Sequence, residues 1–311
     1  MLHRLFLFGL LLCVVSLPLG AGEVIFSDGF ESGDTCAWSS SVPLLPCAGS
    51  EITVNLPGDV PLVMVYIPPG SFMMGSPLDE RGRDGTSPDE DLHQVTLTRG
   101  YYIGKYEVTQ AQWEAVMGRP PLEGCGTSYG VGDDYPVYCV SWTYDITGAE
   151  GFLEKLNAHL VSTAQPGAGL FRLPSDAEWE RAARAGTQTR FSFGDVLECG
   201  DECEACSIHD QYMWWCGNQS GHTEPVGSKL GNSYGLHDMH GNISEWVQDW
   251  YTQSLGTNPQ TDPTGPASGI YRVVRGGSWL NYAWGCRSAD RHFYPPGFNG
   301  NLFGFRVART N

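Results

Sequence analysis

The chain has 311 residues, 41% of them hydrophobic and only 17% charged, with a formal net charge of −17. This length can hold one large domain or two ordinary ones, and the apolar content suffices for a substantial core. Because phosphate groups are bound through Lys and Arg clusters, the acidic balance argues against nucleic acid and anionic membranes as partners and favours cations.

The first 22 residues have the pattern of a cleaved secretory signal. Arg4 precedes an apolar run that is too short for a good transmembrane span, and the segment ends in small residues around Gly20. Cys13 follows Leu12 rather than a small residue, which argues against a lipoprotein anchor. We therefore expect a secreted or periplasmic bacterial protein without a transmembrane anchor.

Residues 23–50 are rich in Ser, Gly and Pro and include one possible cysteine loop, so we interpret them as a leader before a compact domain at 51–311. From Met64 the sequence alternates around a Pro-Pro-Gly turn, which predicts a β-hairpin. Two more alternating segments, Gln94–Thr98 and Tyr101–Val108, predict strands. The acidic residues 77–92 predict a solvated loop, with a cation site as the alternative.

Three helices follow from capping signals and apolar spacing. Thr109 with Gln112, and Ser175 with Glu178, form the pattern of a capping box. We expect the first of these helices to end at Gly118 and the other to run to Ala185, before Gly186. A further helix is predicted over Asp145–Leu160.

Export predicts disulfide bonds, because they persist in oxidising compartments. Nine cysteines remain after the signal, so one is left free or pairs between molecules. Spacing suggests the pairs Cys36 with Cys47 and Cys125 with Cys139, two pairs among Cys199, Cys203, Cys206 and Cys216, and an unpaired Cys286. The middle cluster contains a C-x-x-C, and His209 follows it, so zinc is the alternative there.

Seven sequence blocks occur in a recognisable order: MVYIPPGSFMMGS, GYYIGKYEVTQAQWEAVMG, YPVYCVSW, FRLPSDAEWERAARAG, YGLHDMHGNISEWVQDWY, RVVRGGSW and FGFRVAR. Together they cover nearly all of residues 64–309 and resemble the sulfatase-modifying-factor, or formylglycine-generating-enzyme, domain. The resemblance implies a single α+β domain related to C-type lectins, with much irregular structure and bound calcium. The family includes copper-dependent oxidases of a sulfatase cysteine, iron-dependent sulfoxide synthases and members without established activity, so it implies a fold more than a function.

The copper enzymes of this family resemble one another in a GGS motif followed by two cysteines five positions apart. Here Ser278 matches the active-site serine, Asn281 occupies the first cysteine position, and Cys286 falls on the second. Cu(I) prefers paired thiolates, so one cysteine and an amide are a poor site and copper is not expected. Ser244 also replaces the Trp that lines the family's reaction pocket. The remaining candidate catalytic residues are Ser278 and Cys286.

The same resemblance implies calcium ligands at Asp238, Gly241, Ile243 and Glu245, through carboxylates and backbone carbonyls. Hard cations take six to eight oxygens, and a Gly turn lets carbonyls converge. The alternative is a hydrogen-bonded turn that needs no ion. His237 and His240 also invite a metal assignment, but in an extended segment their rings point to opposite faces, so we expect surface histidines.

We interpret the chain as a calcium-stabilised binding or accessory domain that holds a peptide, protein or glycan. The surface expected to bind includes Ser278, Asn281, Trp284 and Arg291. For Arg287 and Arg291 the alternatives are a clamp for a ligand carboxylate and pairing with internal acids. The alternative function is a metal-dependent oxidoreductase acting on protein cysteine, with a changed metal site at Cys286.

Overall fold

The computed structural model describes residues 46–84, 88–120, 125–165 and 170–310. The predicted signal, residues 1–22, and most of the predicted leader, residues 23–50, lie outside these segments. Across the described segments, no helix is both long enough and apolar enough to cross a membrane.

The described segments form an α+β domain with short elements and long irregular connections, as the composition indicates. The strands are β1 (Glu51–Asn55), β2 (Pro61–Ile67), β3 (Gly70–Met74), β4 (His93–Leu97), β5 (Tyr101–Gly104), β6 (Phe171–Arg172), β7 (Ser244–Trp250), β8 (Gln260–Thr261), β9 (Arg272–Arg275), β10 (His292–Tyr294), β11 (Phe303–Gly304) and β12 (Ala308–Thr310). The α-helices are α1 (Gln110–Met117), α2 (Phe152–Ser162), α3 (Asp176–Arg184) and α4 (His209–Tyr212).

Three sheets organise the domain. The largest has the strand order β1-β2-β5-β12-β6, so the C-terminal strand β12 lies between β5 and β6. The second has the order β10-β9-β7-β11, and the third has the order β3-β4-β8. In the largest sheet Ile103 is paired with both Val65 and Ala308, and all three side chains are fully buried. Strands from near the beginning and the end of the domain therefore pack in the same core.

The hairpin predicted from Met64 is wrong. Strands β2 and β3 are consecutive, but β2 pairs with β1 and β5, whereas β3 pairs with β4 in another sheet. Pro68 and Pro69 between them have no N–H to donate to a ladder. At Gly70 φ is 148°, and a Cβ there would lie 2.9 Å from Nη2 of Arg181. The Pro-Pro-Gly turn thus moves the chain between sheets.

Two predicted helices are confirmed, and the third needs correction. Helices α1 and α3 each have both hydrogen bonds of a capping box. The segment predicted as one helix over Asp145–Leu160 instead contains a short π-helix, Trp142–Ile146, and then α2. A turn at Gly148, whose carbonyl accepts from the N–H of Gly151, separates them. A Cβ on Gly151 would lie 2.8 Å from the carbonyl oxygen of Ile146, so this turn excludes a continuous helix.

The acidic segment 77–92 is not simply a solvated loop, and the prediction is corrected here. Glu80 and Glu90 are both largely buried, and both accept hydrogen bonds from Arg287, more than 190 positions away. Glu90 accepts hydrogen bonds from two guanidinium nitrogens of Arg287, at 2.6 and 2.8 Å. Such bidentate pairs combine charge with fixed geometry, so Arg287 holds the segment against the domain.

A second buried ion-pair network joins helix α3 to strand β9. Arg275 donates to Asp176 at 2.6 Å and to Glu180, and all three side chains are almost inaccessible. Arg291 donates to the other oxygen of Asp176 at 2.8 Å, and Arg184 donates to Glu180 at 2.8 Å. Of the two sequence alternatives for Arg287 and Arg291, pairing with internal acids is therefore the one observed.

We predict that Arg287→Ala lowers the free energy of unfolding by about 3–5 kcal/mol, because it leaves Glu80 and Glu90 buried without their cation. Denaturant unfolding followed by intrinsic tryptophan fluorescence measures the change. Arg99→Ala, at an exposed position, is the matched control and should change stability by less than about 0.5 kcal/mol. Equal effects of the two substitutions would contradict this account of the segment.

Candidate functional site

The segment from Gly276 to Arg287 is a tight turn in which the two glycines permit close backbone packing. Gly276 and Gly277 have φ of 88° and 69°. A Cβ on Gly277 would lie 2.5 Å from the carbonyl oxygen of Gly285 and 2.7 Å from Sγ of Cys286. Only glycine therefore lets Cys286 approach this turn so closely.

Ser278 and Asn281 hydrogen-bond to each other inside the turn. Oδ1 of Asn281 accepts from the backbone N–H of Ser278 at 3.0 Å and from its hydroxyl at 2.6 Å. Ser278 is fully buried, and Asn281 is half-buried. In this conformation the Asn281 side chain stabilises the turn, and the Ser278 hydroxyl does not face solvent.

Cys286 is a free thiol with no exposed surface. It packs in an apolar cluster with Phe191, Met213 and Trp215. Burial, with a smaller contribution from nearby Asp290, raises the pKa of the thiol well above its usual range. The neutral thiol is thus the stable form, and it is a poor nucleophile and a poor metal ligand.

These residues do not fit a copper ion. Copper(I) requires paired thiolates, whereas this segment offers a protonated, buried thiol and an amide oxygen already bonded to Ser278. Ser244, at the position of the family's pocket Trp, is also buried, at 5% exposure. We derive no reaction step through copper.

His240 corrects the expectation of surface histidines. It is buried at 3% exposure, its Nδ1 lies 2.8 Å from the carbonyl oxygen of Cys286, and its Nε2 accepts from the N–H of Ser192 at 3.1 Å. Burial lowers the pKa of His240 to about 4, so the ring is neutral at physiological pH. Nδ1 of His237 instead lies 2.8 Å from the carbonyl oxygen of Lys229, so the two rings have separate partners, as expected.

The cysteine pairing is confirmed wherever both cysteines are described. Cys125 pairs with Cys139, and the middle cluster forms two bridges, Cys199 with Cys206 and Cys203 with Cys216. These bridges use the sulfurs that the zinc alternative required. Cys47 is also disulfide-bonded, while Cys36, its predicted partner, lies outside the described residues. Such bridges suit an extracellular environment.

The predicted calcium segment forms the expected turn, with positive φ at Asp238, Gly241 and Asn242. Oδ2 of Asp238 accepts from the N–H of Gly227 at 2.7 Å, but its buried Oδ1 has no hydrogen-bond partner. Glu245 differs, since Arg306 donates to both of its oxygens at 2.7–2.9 Å. Trp179 Nε1 also donates to Glu245, at 2.8 Å. Asp238 is therefore the less satisfied of the two predicted carboxylates.

Glu107 is a buried carboxylate in this region that sequence reasoning missed. It is 1% exposed, and neither of its oxygens has a hydrogen-bond partner. Burial, together with repulsion from Asp238, raises the pKa of Glu107 well above its usual range, and burial also raises the pKa of Asp238. The sequence gives no clear signal for it, because Glu107 follows Lys105 and Tyr106 in a mixed polar segment after β5.

The charges in this region fit a divalent cation. Glu107, Asp238 and Glu245 bring three carboxylates near the guanidinium of Arg306, so they exceed its charge by two when all three acids are ionised. Lys229 also interacts electrostatically with Asp238. Over the described residues, no group of three or more His, Cys, Asp or Glu side chains converges enough to hold a metal by itself. Backbone carbonyls, such as those of Gly241 and Ile243, would have to complete an oxygen shell of the kind calcium prefers.

The predicted binding residues do not form one surface. Trp284 is 37% exposed, and its ring stacks with that of Tyr282, which is 45% exposed, at a centroid distance of 5.9 Å. Leu280, 52% exposed, belongs to the same turn. Arg291 is instead buried against Asp176 and lines a cavity with other residues. We call Leu280, Tyr282 and Trp284 the aromatic turn.

The fold and this turn define the class of protein: a disulfide-bonded α+β domain with a GGS turn. A model of the sulfatase-modifying factor enzyme 1-like domain matches residues 58–311. The chain therefore belongs to the sulfatase-modifying-factor, or formylglycine-generating-enzyme, family.

Similar proteins have diverse names. The chain is 30% identical to a formylglycine-generating enzyme of Streptomyces coelicolor, covering 78% of this chain and 88% of that one. It is 28% identical to the chaperone protein LppX of Paenibacillus barcinonensis, covering 70% and 82%. It is 29% identical to the serine/threonine-protein kinase pkn1 of Chlamydia caviae, covering 79% of this chain but only 38% of the kinase. The structure of Treponema denticola variable protein 1 superposes with a TM-score of 0.69 at 30% identity, covering 84% and 99%.

We predict that Cys286 resists iodoacetamide in the native protein at pH 8, because alkylation needs an accessible thiolate and this thiol is buried and protonated. Peptide mass spectrometry should find the Cys286 peptide unmodified in native protein and fully alkylated after denaturation. Reduced glutathione in the same tube serves as the reactivity control. Rapid stoichiometric alkylation of native Cys286 would show that the thiol is accessible and would reopen a catalytic role.

Proposed function

We propose that this chain is an exported binding or accessory protein that presents the aromatic turn to a peptide, protein or glycan ligand. The observation that carries the proposal is a contrast in side-chain exposure within the segment 278–286. The side chains that could perform chemistry, Ser278 and Cys286, are buried, whereas Tyr282 and Trp284 are stacked at the surface. Exposed aromatic side chains supply large contact areas at low cost in conformational entropy.

A rigid base supports the aromatic turn. The N–H of Gly285 donates to the carbonyl oxygen of Tyr282, and the N–H of Asn281 donates to that of Ser278. Arg287, held by Glu80 and Glu90, donates from Nε to the carbonyl oxygen of Trp284 at 2.9 Å. A preorganised surface of this kind loses little entropy when it binds.

The oxidoreductase alternative lacks comparable support. Its metal site would centre on Cys286, whose thiol is buried and protonated, and Asn281 offers no free amide oxygen beside it. Relatives called formylglycine-generating enzymes show that the fold supports such chemistry elsewhere. The relative called a chaperone protein agrees better with a surface that contacts another macromolecule.

Trp284→Ala should weaken ligand binding at least tenfold, because aromatic anchors at the centre of a contact surface supply much of its binding energy. The fluorescently labelled protein would be screened on a glycan array and on a tiled peptide array, and each hit would be titrated with both proteins. Tyr144→Ala, which removes another exposed aromatic residue at 72% exposure, is the control and should not change affinity. Hits that bind both variants equally would overturn the proposed surface.

We also propose that a calcium ion stabilises the domain at the segment Asp238–Glu245. The support is the excess negative charge of Glu107, Asp238 and Glu245 over Arg306, and the three unpartnered carboxylate oxygens on Glu107 and Asp238. A buried uncompensated charge costs several kcal/mol, and a divalent cation would remove that cost. Asp238, Gly241, Ile243 and Glu245 remain the proposed ligands, and Glu107 supplies a further negative charge beside them.

Calcium should raise the melting temperature of EDTA-treated protein by roughly 5–10 °C at a hundredfold excess over Kd, since it binds the folded state. Glu107→Gln should remove most of this rise. It should also raise the melting temperature without calcium, because it removes a buried acid. Differential scanning calorimetry with and without calcium measures both changes.

Glu114→Gln is the matched control, since Glu114 is exposed on helix α1. Both melting temperatures of this variant should equal those of the unmodified protein. A melting temperature that calcium and EDTA leave unchanged would refute the calcium proposal, and it would leave the aromatic turn unaffected.

A further inference from the structure

A cavity of about 330 Å³ opens beside helix α3, on a part of the domain that the proposed function does not use. Its floor is made by side chains of α3, the end of β7 and the buried Arg291. The loop between β7 and β9 forms its rim. The lining residues that matter for its chemistry are His93, Asp176, Asp249, Leu255, Thr264 and Arg291.

Asp249 is the acid of this cavity without a cationic hydrogen-bond partner among the described residues. Its Oδ2 accepts from the backbone N–H of Asp176 at 2.9 Å, which is the first residue of α3. The carboxylate of Asp176, in contrast, is shared by Arg275 and Arg291. Arg291 therefore forms its ion pair with Asp176, and the carboxyl of Asp249 remains available to a ligand.

His93 supplies a second unused acceptor at the cavity. The residue is 2% exposed, and its Nδ1 lies 2.7 Å from the carbonyl oxygen of Asp91. A carbonyl can only accept, so Nδ1 carries a proton, and in the neutral ring Nε2 then has the lone pair. Nε2 is buried and has no hydrogen-bond partner. A ligand that donates hydrogen bonds would satisfy both His93 and Asp249.

Charge and shape favour an ammonium group on an apolar stem over a sugar. The whole chain carries a formal charge of −17, which favours a cationic ligand over a neutral one. Met74, Leu255 and several prolines supply apolar walls. The guanidinium carbon of Arg272 lies 3.5 Å from the ring centroid of Trp250, so one face of that ring is already covered and is closed to sugar stacking.

We propose that this cavity is a binding site for a primary alkylammonium group, with Asp249 as the anionic partner and His93 as a second acceptor. The group can belong to a lysine side chain of a polypeptide or to a free alkylamine. The site is separate from the aromatic turn, so the failure of one proposal would not affect the other.

The test is isothermal titration calorimetry of the full-length protein with n-pentylammonium at pH 8.0, with 1-pentanol as the uncharged isostere. We expect saturable 1:1 binding of the amine and at least tenfold weaker binding of the alcohol. A parallel titration with Nα-acetyl-lysine methylamide distinguishes the two sources. If this compound binds more tightly than pentylammonium, the ligand is a lysine side chain of a polypeptide. If it binds more weakly, the ligand is a free amine. Equal affinity for amine and alcohol, or no saturable binding of either amine, would overturn the proposal.

The affinity should also depend on pH. Burial and the neighbouring Asp176 raise the pKa of Asp249 to about 7, so its charge is present above pH 7 and is lost as the pH falls. Between pH 8.0 and 5.5 the ionised fraction falls about thirtyfold, and the affinity for pentylammonium should fall by up to that factor. The charged and titratable groups around Asp249 are Asp176 and Glu178 on α3, Arg272 on β9, His93 on β4, and Arg291. A pH-independent affinity would contradict the role of Asp249.

Three variants locate the site. Asp249→Asn keeps an acceptor for the N–H of Asp176 but removes the charge, so pentylammonium affinity should fall at least tenfold at pH 8.0. Thr264→Trp places a bulky group at the exposed rim and should also reduce affinity at least tenfold without touching the core. Thr257→Trp, exposed on the same loop but outside the cavity, should bind normally. Normal binding by Thr264→Trp would place the amine elsewhere and refute the site, even if Asp249→Asn fails to fold.

Discussion

The buried arginine–carboxylate pairs are the interaction on which the rest of the domain depends. Arg275 joins strand β9 to helix α3 through Asp176 and Glu180, and Arg287 joins the acidic segment to the GGS turn through Glu80 and Glu90. With so little regular secondary structure, backbone ladders cannot order the long connections. Charged pairs withdrawn from water do so because breaking one leaves an isolated buried charge.

Three acids in the domain interior, at two places, are left out of this pairing, and each place is one where a cation could act. At Glu107 and Asp238 the excess charge is enclosed, which suits a resident divalent ion. At Asp249 the excess charge faces a cavity, which suits a ligand that comes and goes. In our proposals, the same acidic composition has a structural purpose in one place and a recognition purpose in the other.

Membership of the formylglycine-generating-enzyme family fixes the architecture but not the activity of this chain. The departure lies in the GGS turn, where Asn281 bonds Ser278 and the apolar cluster encloses Cys286. Both features stabilise the turn. The rings of Tyr282 and Trp284 are stacked on it and partly exposed, which is the basis of the binding role that we propose.

The sequence alone determined the family, the α+β class, helices α1 and α3 with their caps, and the bridge between Cys125 and Cys139, because these depend on local spacing or on motifs read in order. For the middle cluster it predicted two bridges but left open which cysteines pair. It misassigned the hairpin at Met64, the helix over Asp145–Leu160 and the solvated acidic segment. It also gave no sign that Glu107, Asp249 and His240 are buried. Those depend on which distant side chains meet in the interior, since burial and pairing there decide whether an acid is solvated, bonded to arginine or left for a cation.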